Sequence, residues 1–394
     1  MTPNTFPKLS IVLLLLATSA LTVMAGTLVG PSLPALNSQF DNVQLVSLLL
    51  TLPALAVVVT APFVGKLTYK FGLKPLFIFS LFGYGLAGST GLWLDSLPAL
   101  LIGRFALGMS IAVIMTLSAT LVSNLSSGQG REKLIAYQSV AMNMGGVVFV
   151  GFGGYLADLH WRLPFSLYLL AIALTAIAVF IVPATTKQPD KEKVIISRQQ
   201  WLVVIPFYIV GFMMMVLFYM IPVMYPFVVT ELLDARPTQI GLSLALFSIV
   251  AAFSSMLLPK IAGKISEYQV MAFAALAFAI GHLFIALAGT WVGMAVGGCV
   301  VGIGFGIILP ALNKGIAARS EPANRPQLMG GFVTAFFLGQ FISPIAGRLF
   351  TTSDTQSAFI AGSVVAFILA ILLLLMPKTV QRQQRLSARN AIKT

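Results

Sequence analysis

PATTKQPDKEKVIISRQQ, Pro183 to Gln200, is the longest polar stretch between apolar runs, and it separates two series of six such runs. Ahead of it, apolar segments predict spans near 9–33, 43–64, 75–94, 97–122, 133–157 and 163–183. Behind it, the same pattern predicts spans near 202–226, 237–258, 268–288, 291–314, 326–349 and 356–377. Runs of about 20 residues suffice to cross roughly 30 Å of hydrocarbon at about 1.5 Å per residue. Membrane β-strands would instead give alternating segments of about 10 residues, and no such alternation is sustained. The expected fold is therefore an all-α membrane protein of twelve transmembrane helices in two pseudo-symmetric six-helix bundles. The expected parts are an N-terminal bundle over 1–183, a connector over 184–201, a C-terminal bundle over 202–377 and a basic tail over 378–394.

Composition excludes the alternatives to this fold. Of 394 residues, 58% are hydrophobic and 9% charged, whereas a soluble domain carries about 25% charged residues. The net charge of +13 would raise the question of nucleic acid in a soluble protein. Placement answers it: with the N-terminus in the cytoplasm, 20 of the 24 basic residues fall in cytoplasmic loops and tails, the exceptions being Arg104, Arg162, Arg236 and Arg348. Lysine and arginine are retained on that side of a membrane, so the charge reads as a topological signal and no nucleic-acid partner is expected. Both termini are expected to be cytoplasmic, in a multi-pass protein of the bacterial inner membrane. The run from Leu9 to Val29 is too long for a typical signal-peptide core and reads as a retained helix. One cysteine, Cys299, and two histidines leave no metal-ligand set, no cofactor is expected, and no nucleophile is paired with a base, so the chain does not read as an enzyme.

The two series are related to each other. A shift of 194 residues pairs Gly108 with Gly302, Arg131 with Arg325, Gly145 with Gly339 and Gly153 with Gly347. PFVGK at Pro62–Lys66 also resembles PKIAGK at Pro259–Lys264. Internal repeats of this kind are common in transporters, which place their substrate between the repeated parts.

These same segments carry a family resemblance. GKLTYKFGLKP, Gly65 to Pro75, resembles the signature loop of the major facilitator superfamily through Gly65, Leu67, Lys70, Gly72 and Lys74, with Tyr69 in place of the motif's aspartate. LLIGRFALG, Leu100 to Gly108, is similar to the family's membrane arginine followed four residues later by glycine. GFGGYLADLHWRLPF, Gly151 to Phe165, keeps the GG half of an antiporter motif whose preceding glycine and proline are replaced by Phe149 and Val150. LGQFISPIAG, Leu338 to Gly347, is typical of the twelve-helix drug:proton antiporter branch. The resemblance implies the major facilitator fold, a monomeric transporter in a lipid bilayer, proton coupling, and gating by Gly65, Lys66, Leu67, Lys70, Gly72 and Lys74. By the family arrangement, helices three, six, nine and twelve are peripheral and the others line the path.

Arg104 stands out among the individual residues. It lies roughly 10 Å inside the fourth span, where an unpaired charge costs at least about 2.5–3.5 kcal/mol, and its repeat partner is Gly298. Packing at that slot is satisfied by glycine, so an arginine there points to anion recognition or coupling, against a snorkelled structural role. All eleven acids fall in loops or near span ends. Proton coupling is therefore expected to run through Asp41, Arg104 or His282, although a hydrogen-bonded packing histidine is the simpler reading of the last. The expected cavity residues are Gln138 and Asn143 on the fifth span, Tyr208, Tyr219 and Tyr225 on the seventh, Asn313 on the tenth and Gln340 on the eleventh. Asn143 and Gln340 weigh more than the tyrosines, because an amide in hydrocarbon has four hydrogen-bonding positions to fill. FMMMVLFYM, Phe212 to Met220, adds adaptable side chains suited to an apolar ligand or to plain packing. The expected function is secondary efflux, by alternating access, of a small anionic or zwitterionic molecule such as a metabolite, siderophore or drug. Efflux of cationic or lipophilic drugs, proton-coupled uptake of a metabolite, and a non-transporting receptor are the alternatives.

Overall fold

A computed structural model describes residues 6–183, 196–256, 266–321, 324–351 and 355–375. Thirteen α-helices carry the described chain. They are α1 Leu9–Met24, α2 Leu33–Phe40, α3 Val43–Phe71, α4 Leu73–Gly88, α5 Leu97–Leu125, α6 Gly128–Leu159 and α7 Leu170–Ile181. After the connector come α8 Arg198–Leu233, α9 Pro237–Ser255, α10 Glu267–Leu287, α11 Trp291–Ala317, α12 Arg325–Leu349 and α13 Gln356–Leu375. No strand occurs among the described residues. Eleven helical segments among them are long and apolar enough to cross a bilayer, and the shorter Leu9–Met24 is apolar too. A helix satisfies its backbone groups within the segment itself, which hydrocarbon requires because it offers them no other partner.

The chain forms two compact units: Met1–Lys191 with Arg236–Ala245, and Glu192–Ala235 with Leu246–Thr394. In the first, α3 and α4 pack on α5, α1 on α6, and α4 on α7. In the second, α8 packs on α12, and α10 on both α11 and α13. The glycines paired by the 194-residue shift hold equivalent places in these contacts. A Cβ on Gly108 would lie 2.3 Å from the Pro53 carbonyl oxygen, and one on Gly302 would lie 2.7 Å from that of Phe247. Gly145 likewise abuts Ala20 of α1, and Gly339 abuts Phe212 of α8. Pro53 and Phe247 are themselves 194 residues apart, so the repeat is a repeat of helix contacts. Small residues let helix backbones approach where hydrocarbon supplies no hydrophobic drive between helices.

Several expected boundaries need correction. The first span is not one helix over 9–33: α1 ends at Met24, and a turn and the 3₁₀ segment Gly30–Ser32 lead into α2. Gly26, Gly30, Pro31 and Pro34 keep this stretch apolar while interrupting its hydrogen-bond ladder. The gating segment is largely helix rather than loop, since α3 continues through Phe71. KLTYKF contains no helix breaker before Gly72, and Lys66 and Lys70 are exposed. Gly72 makes the turn at φ 84°, and Lys74 already lies in α4. The seventh span starts earlier than 202, at Arg198, where Ser197 and Gln200 form a reciprocal capping box. The Pro259–Lys264 segment and the tail over 378–394 lie outside the described residues.

Candidate functional site

Arg104 is held entirely within the first unit. It is 1% exposed, and its Nη1 donates to the Tyr168 hydroxyl at 2.7 Å. The guanidinium also lies over the Phe165 and Tyr168 rings, 5.0 and 5.2 Å from their centroids. Tyr84 packs beside Tyr168 at 5.6 Å and donates its hydroxyl to the Leu21 carbonyl of α1. Thus α5 supplies the cation, the 3₁₀ segment Leu163–Leu169 supplies two rings, and α4 supplies a third ring tied to α1. No carboxylate among the described residues pairs with the guanidinium, and Nη2 is buried without a partner among them. Aromatic faces offset part of the desolvation of a guanidinium. Asp41 is not brought to it: that residue is exposed, in the left-handed turn that ends α2.

The other expected residues divide between the units. In the first, Gln138 donates from α6 to Ser19 of α1 at 3.0 Å, while Asn143 is exposed on α6. In the second, Tyr208 donates to the Leu328 carbonyl of α12, and Tyr225 packs edge-on against Phe247. Asn313 is half-buried on α11. Tyr219 and Gln340 alone among the expected cavity residues meet, through a side-chain hydrogen bond between α8 and α12. Ser343, one turn further along α12, donates to the Val216 carbonyl at 2.7 Å. Of the gating residues, Gly65 and Lys70 are exposed near the end of α3, with the Lys70 ammonium 5.3 Å from the Phe71 ring centre.

Sequence reasoning passed over two groups. Phe218 of α8 and Phe305 of α11 stack at 3.7 Å with an interplanar angle of 12°. Where the C-terminal end of α11 meets the N-terminal end of α10, Arg319 donates to Glu267 at 2.7 Å and to the Gly315 carbonyl at 2.9 Å, and its guanidinium covers the Phe207 ring. The first had a signal in the repeat, discussed below. The second had none, because its members are distant in sequence and individually ordinary for helix ends. His282 is a packing residue: it is fully buried, with Nδ1 2.9 Å from the Phe278 carbonyl and Nε2 3.1 Å from the Leu217 carbonyl. No cluster of metal-ligating side chains occurs among the described residues.

With two units of like helix pairing and an arginine buried within a span established, comparison with known proteins is decisive for the family. The Major Facilitator Superfamily profile matches residues 15–227 and 207–393, nearly the whole chain. The chain belongs to the Major Facilitator Superfamily. Among superfamily relatives, the quinolone resistance protein NorA of Staphylococcus aureus (strain MSSA476) is 23% identical over 320 residues, covering 79% of this chain and 82% of its own length. Multidrug resistance protein 1 of Bacillus subtilis (strain 168) is 26% identical over 139 residues, 35% of each chain. Among solved structures, a D-xylose-proton symporter superposes with a TM-score of 0.74 at 14% identity, covering 92% of this chain and 96% of that one. A bacterial homologue of the human lysosomal transporter Spinster gives 0.73 at 13% identity, covering 97% of each. These superpositions establish the major facilitator fold. The NorA likeness fits the drug:proton antiporter branch, and superfamily membership with these apolar helices points to a multi-pass membrane transporter.

Proposed function

We propose that the protein is a secondary exporter of the bacterial inner membrane that moves a small anionic or zwitterionic organic molecule outward by alternating access, driven by protons. The observation that carries this reading is the distribution of charge. The described acids, Asp41, Asp95, Glu132, Asp158, Glu231, Asp234, Glu267 and Glu321, all lie at or near helix ends, while Arg104 is buried two turns inside its span. A cationic cargo deep in the protein needs a carboxylate to offset its desolvation, and intramembrane charges are paired for this reason. Arg104 acts on cargo through its field, because its 1% exposure leaves no surface for contact. At about 10 Å and an effective dielectric constant of about 20, one unit charge stabilises an opposite one by about 1.7 kcal/mol. Both termini are cytoplasmic in this proposal, one chain is the working unit, and Asp41 is the rim carboxylate through which protons enter.

The deciding experiment is flux in proteoliposomes under an imposed pH gradient. Norfloxacin, a zwitterionic carboxylate, should be transported in preference to the cation ethidium, and Arg104→Gln should lower the norfloxacin rate several-fold while leaving ethidium unchanged. A higher flux of ethidium, unaffected by Arg104→Gln, overturns the charge preference. That outcome is favoured by the second reading, efflux of cationic or lipophilic drugs, which the likeness to NorA and to multidrug resistance protein 1 supports.

A further inference from the structure

The second unit contains a stacked ring pair that the bundle does not require. Phe218 and Phe305 lie near the middle of α8 and α11 with centroids 3.7 Å apart. Both residues are half-buried, although Leu217, Tyr219, Gly304 and Gly306 on either side are buried. The two glycines account for the remaining sides of α11 here: Gly304 is turned to Ala274 and Phe278 of α10, and Gly306 to Ala251 of α9. Phe305 is thereby left to the side of α8. Beside the stack, Tyr219 packs edge-on to Phe218 at 5.8 Å and is hydrogen-bonded to Gln340 of α12.

The repeat separates what the bundle needs from what has been added to it. Shifted back by 194 residues, Phe218, Tyr219, Phe305 and Gln340 fall on Met24, Ala25, Ile111 and Gly146. The first unit builds the same helix pairs with no ring and no amide at any of the four places. Gly339 keeps between α8 and α12 the close approach that Gly145 makes between α1 and α6, so the amide and ring beside it are additions that this shared contact does not demand.

We infer that the Phe218–Phe305 stack, with the Tyr219–Gln340 pair at its edge, is a recognition site for a planar aromatic ring system in the cargo. A flat ring in the cargo extends such a stack as a further layer, since offset stacking is a favoured geometry for aromatic groups. The amide and the hydroxyl supply donors and acceptors for a polar substituent at the ring edge. The inference rests on the export reading and names the shape that cargo must have.

Two carboxylates of equal charge and similar size test it: planar 2-naphthoate and saturated decahydro-2-naphthoate, titrated onto the purified full-length protein in detergent by calorimetry. The planar acid should bind about three- to tenfold more tightly, a ratio in keeping with one additional aromatic contact. Phe218→Leu and Phe305→Leu should abolish the ratio, whereas Phe218→Tyr and Phe305→Tyr should preserve it. Thermal unfolding and elution profile identify any variant that has lost its fold, and the tyrosine pair keeps the ring while altering the surface least. Equal binding of the two acids, binding of neither, or a ratio unchanged in both leucine variants overturns the site. Gradient-driven norfloxacin flux is scored separately: flux without planar preference removes only the ring site, and planar preference without flux removes the exporter.

Discussion

At the scale of single residues, Arg104 shows how a cation persists without a carboxylate. Tyr168 accepts a hydrogen bond from it and lays its ring beside it, Phe165 covers it, and Tyr84 fixes Tyr168 laterally. Tyr168→Phe keeps the ring but removes the acceptor, adding a second unmet N–H to the buried Nη2. The expected cost is about 1–3 kcal/mol, seen as a lower unfolding temperature in detergent, while Tyr155→Phe, at an exposed position on α6, should leave that temperature unchanged. Equal effects in both variants refute the hydrogen bond's role. The importance of Arg104 was legible in the sequence, because a charge opposite Gly298 in the repeat has no packing reason to exist. Its surroundings were not. Tyr168 is 64 positions away, and nothing in the spacing tells whether a buried arginine turns toward a wet vestibule or toward rings.

At the scale of elements, hydropathy located the spans and misjudged their ends. It is blind to the break after Met24, where Gly26, Gly30 and Pro31 are as apolar as the helix they interrupt. It also treats Lys66 and Lys70 as loop, although long basic side chains extend from a helix end into the headgroups without unwinding it. The two glycines of that segment consequently differ in meaning. Gly72 has φ 84° and ψ 156°, a conformation open to few residues besides glycine, so Gly72→Ala should cost about 1–3 kcal/mol. A Cβ on Gly65 would meet nothing within 4 Å, and Gly65→Ala should be neutral or stabilise by up to about 1 kcal/mol through helix propensity. Unfolding temperatures of the two variants check this, and the same loss in both would show that the segment is not helical.

At the scale of the whole molecule, the two units solve one packing problem in opposite ways. In the first, Gly88 of α4 makes room for Tyr168, which approaches to 2.2 Å from where a Cβ would stand. In the second, the equivalent of Gly88 is His282, and the equivalent of Tyr168 is Gly362, whose missing Cβ would lie 2.9 Å from the His282 ring. One slot between helices holds one ring, delivered from either wall. Gly362→Leu should therefore destabilise by overpacking, by about 1–3 kcal/mol, and His282→Gly should leave a cavity of similar cost. The double variant His282→Gly with Gly362→Tyr should recover part of both losses, giving a coupling of at least about 1 kcal/mol in a double-mutant cycle. Strict additivity refutes the exchange. The repeat was readable from glycines at a fixed offset because backbone approach tolerates little else. The exchanged pair was not readable as a match, since a swap leaves different residues at both positions.

His282 carries one consequence more. Both of its ring nitrogens face carbonyl oxygens, one in its own helix and one in α8, yet a neutral imidazole has a single hydrogen to give. The ring therefore ties α10 to α8 in one tautomer and releases it in the other. With only His160 as a second histidine, nitrogen chemical shifts would report that choice directly, as a two-signal readout of whether the neighbouring helix is held or free.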